Sequence, residues 1–417
     1  MKLYAHQKAI IDADPKKTGL FLGTGSGKTR TALSLAVGKV LVIAPKTQVQ
    51  DGNWEREAEF LGIKKVVVIS KETFRRDNTS LPRYDTVICD EVHTMLGVTP
   101  SIRYQKGNQL PRASQVFDAL DTYLARTKPE RIYLCTATII RSPMTVWGAY
   151  RILKPGTRGA SLEGFLFFRN KYYTKLPIPG REVWVPKNSP QIKEDLAALV
   201  RKLGYVGRLE DFFDVPEQTF HTDYIELTPE QKQRLKDISL EYPEPLVLVG
   251  KKHQVENGVL AGDEYTAPLS FANGKVDRIL DYALEFPRMV IFARYRAQIE
   301  ALAVALHKEG YKVLIMTGDT TERGAVIKEA NESEACILIV SAQISAGWEL
   351  PTFPVMIFAS RTYSFVDYDQ SLGRIQRANN IKKNLYINLI TRGGVDEAVD
   401  KALMNKQDFN DAIYQGG

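Results

Sequence analysis

Short apolar runs that alternate with helix-like stretches constrain the fold of this chain more than any other feature. The first set is Gly19–Leu22, Val40–Ala44, Lys65–Ile69, Thr86–Cys89 and Ile132–Cys135. The second set is Met289–Phe292, Lys312–Met316, Cys336–Val340, Val355–Phe358 and Asn384–Ile390. Strands that alternate with helices form βαβ units, which assemble into parallel sheets covered by helices on both faces. The sequence therefore predicts an α/β protein with two parallel-sheet lobes.

The spacing of the two sets predicts the domain boundaries. We expect lobe 1 at residues 1–155, a connector at 156–270 and lobe 2 at 271–417, which ends in a helix over about Val395–Ala412. The connector is broken into aromatic, basic and proline-containing pieces, with helices predicted at Gln191–Lys202 and Pro229–Glu241. A chain of 417 residues is long enough for such an arrangement.

Composition excludes several classes of protein. No apolar run has the roughly 18 residues of a membrane helix, and the N-terminal residues are too charged for a signal peptide. The three cysteines each lie in an apolar run, which predicts buried thiols in a reducing cytoplasm, either of a bacterium or of a phage-infected host. The five histidines lack the spacing of a zinc site. A net charge of +7 favours a polyanionic partner such as nucleic acid, without proving one.

A glycine-rich loop lies between the predicted strand Gly19–Leu22 and a predicted helix at Arg30–Val37. The loop consists of Gly23, Thr24, Gly25, Ser26, Gly27, Lys28 and Thr29. In this context the backbone N–H groups face phosphates, and the helix N-terminus adds partial positive charge. Lys28 would neutralise the β- and γ-phosphates of ATP, and Thr29 would ligate Mg²⁺. The loop departs from the usual pattern at its first position, where Leu22 stands in place of glycine.

Two adjacent carboxylates, Asp90 and Glu91, follow the predicted strand Thr86–Cys89. Ligands of open α/β sheets bind at the carboxyl ends of the strands. Asp90 would hold Mg²⁺ through water, and Glu91 would orient or deprotonate the attacking water, because phosphoryl transfer depends mainly on positioning and charge neutralisation. The carboxylates and the glycine-rich loop together predict an ATP-hydrolysing site.

Two arginines near the end of the chain, Arg374 and Arg377, are three residues apart. In a helix this spacing would place them on one face, where their planar donors suit a γ-phosphate. They are therefore candidates for arginine fingers. The alternative is an ordinary solvated basic face of a helix.

In this order along the chain, the motifs resemble those of superfamily 2 helicases, and most closely the SNF2 group of double-stranded DNA translocases. The matching segments are Leu3–Gln7, Gly23–Thr29, Leu41–Pro45, Val68–Thr73, Asp90–His93, Thr136–Thr138, Ile291–Arg294, Thr317–Thr320, Ser341–Gly347 and Gln370–Arg377. The resemblance spans nearly the whole chain. It implies two RecA-like lobes with ATP and Mg²⁺ in the cleft between them.

The resemblance also implies roles for single residues. Gln7 would read the adenine, and the nucleotide and catalytic positions are Gly23–Thr29, Asp90, Glu91, Gly347, Gln370, Arg374 and Arg377. The positions for nucleic-acid contact or coupling are Pro45, Lys46, Thr47, Thr73, His93, Thr136, Thr138, Arg294, Thr317, Ser341 and Gln343. A motor that contacts the phosphate backbone should be largely blind to sequence and sensitive to salt.

Several alternatives stay open. The long gap between Thr138 and Ile291 favours the SNF2 group, and Ala272–Val276 is similar to the start of the SNF2 second lobe. The segment Thr136–Thr138, Thr-Ala-Thr, and the residues after Gly347 depart from the SNF2 pattern. A strand-separating or branch-migrating helicase is therefore an alternative. Such a helicase needs a wedge element, which the sequence does not identify. A DNA-stimulated ATPase switch that does not move is a further alternative. We expect duplex DNA before single-stranded or branched DNA, RNA last, no membrane, and a monomer recruited by a partner protein or by DNA structure.

Two basic stretches add candidate contacts to nucleic acid. Arg103, Lys106 and Arg112 lie in a predicted loop after the carboxylates, with no acidic residue between them. The segment Phe165–Lys187 interleaves basic and aromatic residues, a pattern that is typical of nucleic-acid binding. The same pattern also fits a small aromatic core beneath long basic side chains, and the sequence does not decide between the two.

Overall fold

The computed structural model describes residues 3–105, 107–137, 139, 141–178, 182–262, 269–344, 348–376 and 383–414, with backbone alone for residues 246 and 405–414. The chain divides into two compact units. The first comprises Met1–Phe213 and Asp408–Gly417, and the second comprises Asp214–Gln407.

The first unit is built on a parallel sheet. The strands of this unit are β1 (Lys17–Leu22), β2 (Val40–Ala44), β3 (Val66–Ser70), β4 (Thr86–Cys89), β5 (Val98–Gln105), β6 (Asn108–Ala113), β7 (Arg131–Cys135), β8 (Tyr173–Leu176), β9 (Val183–Pro186) and β10 (Gly204–Gly207). Six of the described strands form the parallel sheet in the order β10-β1-β7-β4-β2-β3. The pairs β5/β6 and β8/β9 are antiparallel hairpins.

Helices cover both faces of this sheet. They are α1 (Ala5–Asp12), α2 (Lys28–Ser34), α3 (Lys46–Asp51), α4 (Asn53–Phe60), α5 (Lys71–Asp77), α6 (Gln115–Thr127), α7 (Pro143–Leu153), α8 (Leu162–Tyr172) and α9 (Pro190–Leu203), with 3₁₀ turns at Val92–Thr94 and Arg158–Ala160. In β2, Leu41 belongs to one hydrophobic core and Val42 to a second core on the opposite face. A strand that is buried on both faces needs a continuous apolar run, as Val40–Ala44 provides.

The second unit repeats this architecture. Its strands are β11 (Thr219–Ile225), β12 (Val259–Leu260), β13 (Leu269–Ser270), β14 (Arg288–Ala293), β15 (Val313–Met316), β16 (Cys336–Ser341), β17 (Val355–Phe358) and β18 (Leu385–Thr391). Its helices are α10 (Pro229–Glu241), α11 (Pro245–Glu256), α12 (Gly274–Glu285), α13 (Arg296–Lys308), α14 (Arg323–Glu332), α15 (Phe365–Leu372) and α16 (Val395–Tyr414), of which the residues from Asp408 onward are assigned to the first unit. Six described strands form a parallel sheet in the order β11-β18-β17-β14-β16-β15.

The α/β class and the two parallel sheets are confirmed, and each predicted apolar run contains a strand. The segment 156–270, expected as a connector, adds an edge strand to each sheet: β10 to the first and β11 to the second. Edge strands tolerate polar and small residues, so Gly204–Gly207 and the largely exposed Thr219–Ile225 gave no strong apolar signal. Gly204 packs so closely on β1 that a Cβ there would collide with the carbonyl oxygen of Gly19.

The two basic stretches, around Arg103–Arg112 and in Phe165–Lys187, both form regular structure. The predicted loop around Arg103 and Arg112 is the antiparallel hairpin β5/β6, whose turn includes Gly107 with a φ of +78°; Lys106 lies outside the described residues. In Phe165–Lys187, the side chains of Phe165, Phe168 and Tyr172 are buried in the core of the first unit. These aromatic side chains therefore serve a core, and the basic residues lie around it.

The three cysteines are free and buried. Among the described residues, no helix has both the length and the apolar character needed to cross a membrane.

Candidate functional site

The strand order of the first unit brings the predicted motifs together at one edge of the sheet. The strands β1, β7, β4, β2 and β3 are neighbours in that order and run in the same direction. Their carboxyl ends lead into the glycine-rich loop, Thr136, the Asp90–Glu91 pair, the Pro45 segment and the Thr73 segment. Motifs that are more than a hundred residues apart in the chain thus meet at the edge where ligands of parallel sheets bind.

The glycine-rich loop is held by its own side chains. Lys28 Nζ donates hydrogen bonds to the carbonyl oxygens of Leu22 (2.7 Å) and Gly23 (3.0 Å). The buried Ser26 hydroxyl donates to the carbonyl oxygen of Gly23 at 2.7 Å. Helix α2 begins at Lys28, so Thr29 lies in its first turn. The loop therefore places an ammonium group and a hydroxyl group beside a set of backbone N–H groups.

Helix α1 packs directly on this loop. Gln7 is buried; its Nε2 donates to the carbonyl oxygen of Gly27 (3.1 Å), and its Oε1 accepts from the Tyr4 N–H (3.0 Å). The His6 ring contacts the Ser26 carbonyl oxygen through Nε2 at 2.9 Å and stacks on Phe212 at 4.0 Å between ring centres. Gln7 thus lies against the nucleotide loop, and its role in reading adenine stays a prediction.

Two features of the loop favour glycine at position 27. The φ of Gly27 is +80°, which costs a residue with a side chain about 1–2 kcal/mol, and a Cβ would overlap Gln7 Nε2. We expect Gly27→Ala to weaken ATP binding by about tenfold or more, measured by calorimetry. Gly62→Ala is the matched control, because Gly62 has a φ of +73° but no atom within 4 Å of the added Cβ. Equal affinities of Gly27→Ala and Gly62→Ala would contradict the prediction.

The side chain of Asp90 is buried at the end of β4. Its Oδ2 accepts a hydrogen bond from Trp54 Nε1 at 3.0 Å, and its Oδ1 accepts from the Glu91 N–H at 2.9 Å. Burial, followed by repulsion from Glu91, raises the pKa of Asp90 to about 7, against the opposing influence of Trp54 and Lys28. A cation beside this carboxylate would favour its ionised form. Trp54 lies on α4, and the sequence held no signal for its contact with Asp90.

Glu91 adopts a strained backbone conformation beside two polar partners. Its φ of 43° and ψ of 47° are left-handed, which costs a residue other than glycine about 1–3 kcal/mol. Glu91 Oε2 lies 3.3 Å from both Thr136 Oγ1 and His93 Nδ1, and Thr136 Oγ1 lies 2.8 Å from His93 Nδ1. Thr136 and His93 are buried. This triangle joins the end of β4 to the end of β7 and orients the Glu91 carboxylate.

The donor chemistry of this edge fits Mg²⁺ bound together with a nucleotide. Asp90 supplies a carboxylate and Thr29 a hydroxyl. Mg²⁺ at nucleotide sites is held by one or two protein oxygens, with water and phosphate oxygens completing its shell. Within the described ranges no group of three or more His, Cys, Asp or Glu side chains could hold a metal ion by itself.

In the second unit, three adjacent strands carry the positions predicted to contact nucleic acid. Arg294 follows β14, Thr317 follows β15, and Ser341 ends β16, and the three strands are neighbours in the order β14-β16-β15. The Arg294 guanidinium carbon lies 4.2 Å from the ring centre of Tyr363. Gln343 is exposed two residues beyond Ser341. In the first unit, Lys46 and Thr47 lie at the start of α3, after Pro45, and Thr73 lies at the start of α5.

Arg374 does not lie on a helical face. Helix α15 ends at Leu372, and Arg374 follows in a turn after Gly373, whose low helix propensity favours the end of the helix. Arg374 is buried, and its Nη1 donates to the carbonyl oxygen of Trp348 at 3.0 Å. Gln370 is buried within α15. The positions Thr138, Gly347 and Arg377 lie outside the described residues.

A buried polar network lies beside the two tyrosines that neighbour Arg294, and no sequence motif predicted it. Lys275 Nζ contacts Asp396 Oδ2 at 2.6 Å, and His253 Nε2 contacts Asp396 Oδ1 at 2.7 Å. The hydroxyls of Tyr295 and Tyr363 lie 2.7 and 3.0 Å from His253 Nδ1. Burial alone would raise the pKa of Asp396, but Lys275 and His253 outweigh it and lower that pKa. The network ties α11, α12 and α16 to the two tyrosines beside Arg294.

Comparison with known proteins adds two findings. Residues 274–379, within the second unit, match the helicase conserved C-terminal domain. A protein of Methanocaldococcus jannaschii that is named as an ATP-dependent RNA helicase is 26% identical over 128 residues, which cover 29% of this chain and 16% of that protein. This chain therefore spans only a small part of that relative. The second unit thus resembles the C-terminal domain of helicases over residues 274–379, and the two parallel sheets are consistent with two RecA-like lobes.

Proposed function

We propose that this chain is an ATP-driven translocase of the SNF2-like superfamily 2 type, which moves along duplex DNA. One observation carries the proposal. Lys28, the Asp90–Glu91 pair and Thr136 come from three neighbouring strand ends, and Glu91 is in contact with Thr136 and His93. These contacts orient Glu91 and also link the ATP site to a second strand end, and we take this link as the coupling that a motor requires.

Each residue of the first unit has a proposed task. Lys28 neutralises phosphate charge, and Thr29 with Asp90 holds Mg²⁺, which supplies charge neutralisation at the phosphates when it is bound. Glu91 orients the attacking water and receives its proton. A change at the γ-phosphate that displaces the Glu91 carboxylate would displace Thr136 and His93 as well. This is the proposed path from hydrolysis to the segments that contact nucleic acid.

The proposed track contacts in the second unit are Arg294, Thr317 and Ser341. Their strands are neighbours, so a cation and two hydroxyl groups lie along one sheet edge. Such groups suit successive phosphates and carry no information about base sequence. The net charge of +7 agrees with a polyanionic track.

A second candidate function is that of an RNA-dependent helicase. The observation that favours it is the name of the Methanocaldococcus jannaschii relative, which is given as an RNA helicase. The preference for DNA rests on the resemblance of the motifs to the SNF2 group. The two candidates differ in the polymer that should stimulate ATP hydrolysis.

Stimulation of steady-state ATP hydrolysis by different polymers tests the proposal. The arms are no polymer, single-stranded DNA, blunt duplex DNA, forked DNA and RNA, at low and at moderate salt, with Lys28→Ala as the blank. We expect blunt duplex DNA to stimulate most, and stimulation to weaken with salt because phosphate contacts release counterions. Preferential stimulation by RNA would establish the second candidate. No stimulation by any polymer would overturn both.

A further inference from the structure

The hairpin β5/β6 is a separate two-stranded sheet whose base alone is built into the first unit. Val98 is buried, and Ile102 and Ala113 pack on the core of that unit. β5 packs against α7, and β6 packs against α8. A two-stranded hairpin is only marginally stable in water without such support. The hairpin is therefore held in place by the packing of its base, and the side chains at its tip are exposed to solvent and can contact a ligand.

The tip presents an aromatic side chain to solvent. Tyr104 is 75% exposed and pairs across the hairpin with Gln109, whose Nε2 donates to the Tyr104 hydroxyl at 3.2 Å. No atom lies within 4 Å of the position that a Cβ would take at Gly107. Gln105 and Asn108, the last pair before the turn, are also exposed. The ring of Tyr104 thus stands on a narrow, open projection.

The charge of the hairpin suits a polyanion. Residues 98–113 include Arg103, Lys106 and Arg112 and no acidic residue. Arg112 is exposed, whereas Arg103 is paired with Asp118 at 2.7 Å on α6. A basic and aromatic group lies beside the base of the hairpin: Arg169, 4.2 Å above the ring of Trp184, donates to the carbonyl oxygen of Pro100 at 3.5 Å. An exposed aromatic ring on a basic element is the combination that binds unpaired bases.

The hairpin is also joined to the ATP site by a short buried segment. Only six residues separate Glu91 from the start of β5, and Val92, Met95 and Leu96 among them are fully buried. His93 of the same segment contacts Glu91 and Thr136. A displacement of Glu91 during the ATPase cycle would therefore be passed to the base of the hairpin.

We propose that the β5/β6 hairpin binds nucleic acid at a junction between duplex and single strand, where Tyr104 stacks on an unpaired base and Arg112 contacts the backbone. This inference rests on the proposed function. Inside a duplex both faces of each base are covered by its neighbours, so a single exposed ring finds an uncovered base face at an unpaired base or at a duplex end.

The test uses the full chain and a forked DNA that carries 2-aminopurine at the first unpaired position. Stacking on an aromatic side chain contributes about 1–3 kcal/mol per base, so we expect Tyr104→Ala to bind the fork about tenfold more weakly and to lose the change in 2-aminopurine fluorescence. Tyr104→Phe keeps the ring and should retain both. Arg112→Ala should reduce the salt dependence of fork binding by about one ion. Tyr224→Ala, which removes an exposed tyrosine from β11, is the matched control and should leave both readouts unchanged.

ATPase assays on blunt duplex DNA separate failure of this inference from failure of the proposed function. Tyr104→Ala should retain stimulation by blunt duplex DNA, because that substrate has no unpaired base. Wild-type fork affinity and fluorescence in Tyr104→Ala, together with normal polymer-stimulated ATPase in the wild type, would overturn the hairpin inference alone. If no polymer stimulated the wild type, the proposed function itself would fail.

Discussion

Glu91→Gln is expected to lower ATP turnover by about 10²–10⁴-fold, the usual contribution of a general base, while ATP binding persists. The amide keeps the size of the side chain and can still accept a hydrogen bond from Thr136, so the structure around β4 and β7 should be retained. It cannot take a proton from water at neutral pH. The loss should therefore lie in kcat, because the carboxylate acts on the attacking water and not on the bound nucleotide.

Single-turnover hydrolysis and nucleotide binding, measured on the same preparations, check this expectation. Glu130→Gln is the matched control, since Glu130 is exposed and precedes β7 at the end of the strand opposite Thr136. Lys28→Ala provides a second comparison and should impair binding of the phosphates as well as turnover. Turnover close to wild type in Glu91→Gln would exclude Glu91 as the base.

Lys275→Met is expected to destabilise the chain by about 3–5 kcal/mol, because it leaves the buried Asp396 carboxylate without its cationic partner. Lys275 and Asp396 are almost completely buried, with side-chain exposures of 1% and 4%. Lys275 Nζ also contacts Asn257 Oδ1 at 2.7 Å and the carbonyl oxygen of Ala359 at 2.9 Å. Methionine fills a similar volume but replaces none of these three polar contacts, so the loss is electrostatic and not a cavity.

Urea denaturation of the full chain, with hydrogen exchange in peptides from Asp214–Gln407, measures the effect. Lys401→Met is the matched control: Lys401 lies on α16 with Asp396 and pairs with Glu397 at 3.2 Å, but its side chain is 72% exposed. Such surface pairs contribute about 0.3–0.5 kcal/mol. If the two variants lost the same stability, the buried network would have no special role in the second unit.

Much of the fold could be predicted from the sequence, because buried strands produce apolar runs of neighbouring residues. A strand buried on both faces needs a continuous apolar run, and Val40–Ala44 and Val355–Phe358 were predicted to the residue. The glycine-rich loop and the Asp90–Glu91 pair were placed correctly after their strands for the same reason. The edge strands β10 and β11 gave no such signal, because exposed strands carry polar and small residues.

The remaining features depend on residues that are distant in sequence. The bond from Trp54 to Asp90, the packing of Gln7 on Gly27, and the network of Lys275, His253 and Asp396 each join segments that no local pattern relates. The hydrogen bond from the buried Arg374 to the carbonyl oxygen of Trp348 likewise joins two distant segments.

Local patterns in the sequence specify the α/β class, the strands of both sheets other than β10 and β11, and the residue types of the candidate ATP site, since burial and phosphate binding impose patterns on neighbouring residues. The tertiary structure alone specifies the strand order β10-β1-β7-β4-β2-β3, and with it which strand ends meet. It also decided that the basic segment after Glu91 is a hairpin with Tyr104 at its tip. Strand order and exposure are set by packing between distant segments, whose free energy no single stretch of sequence contains.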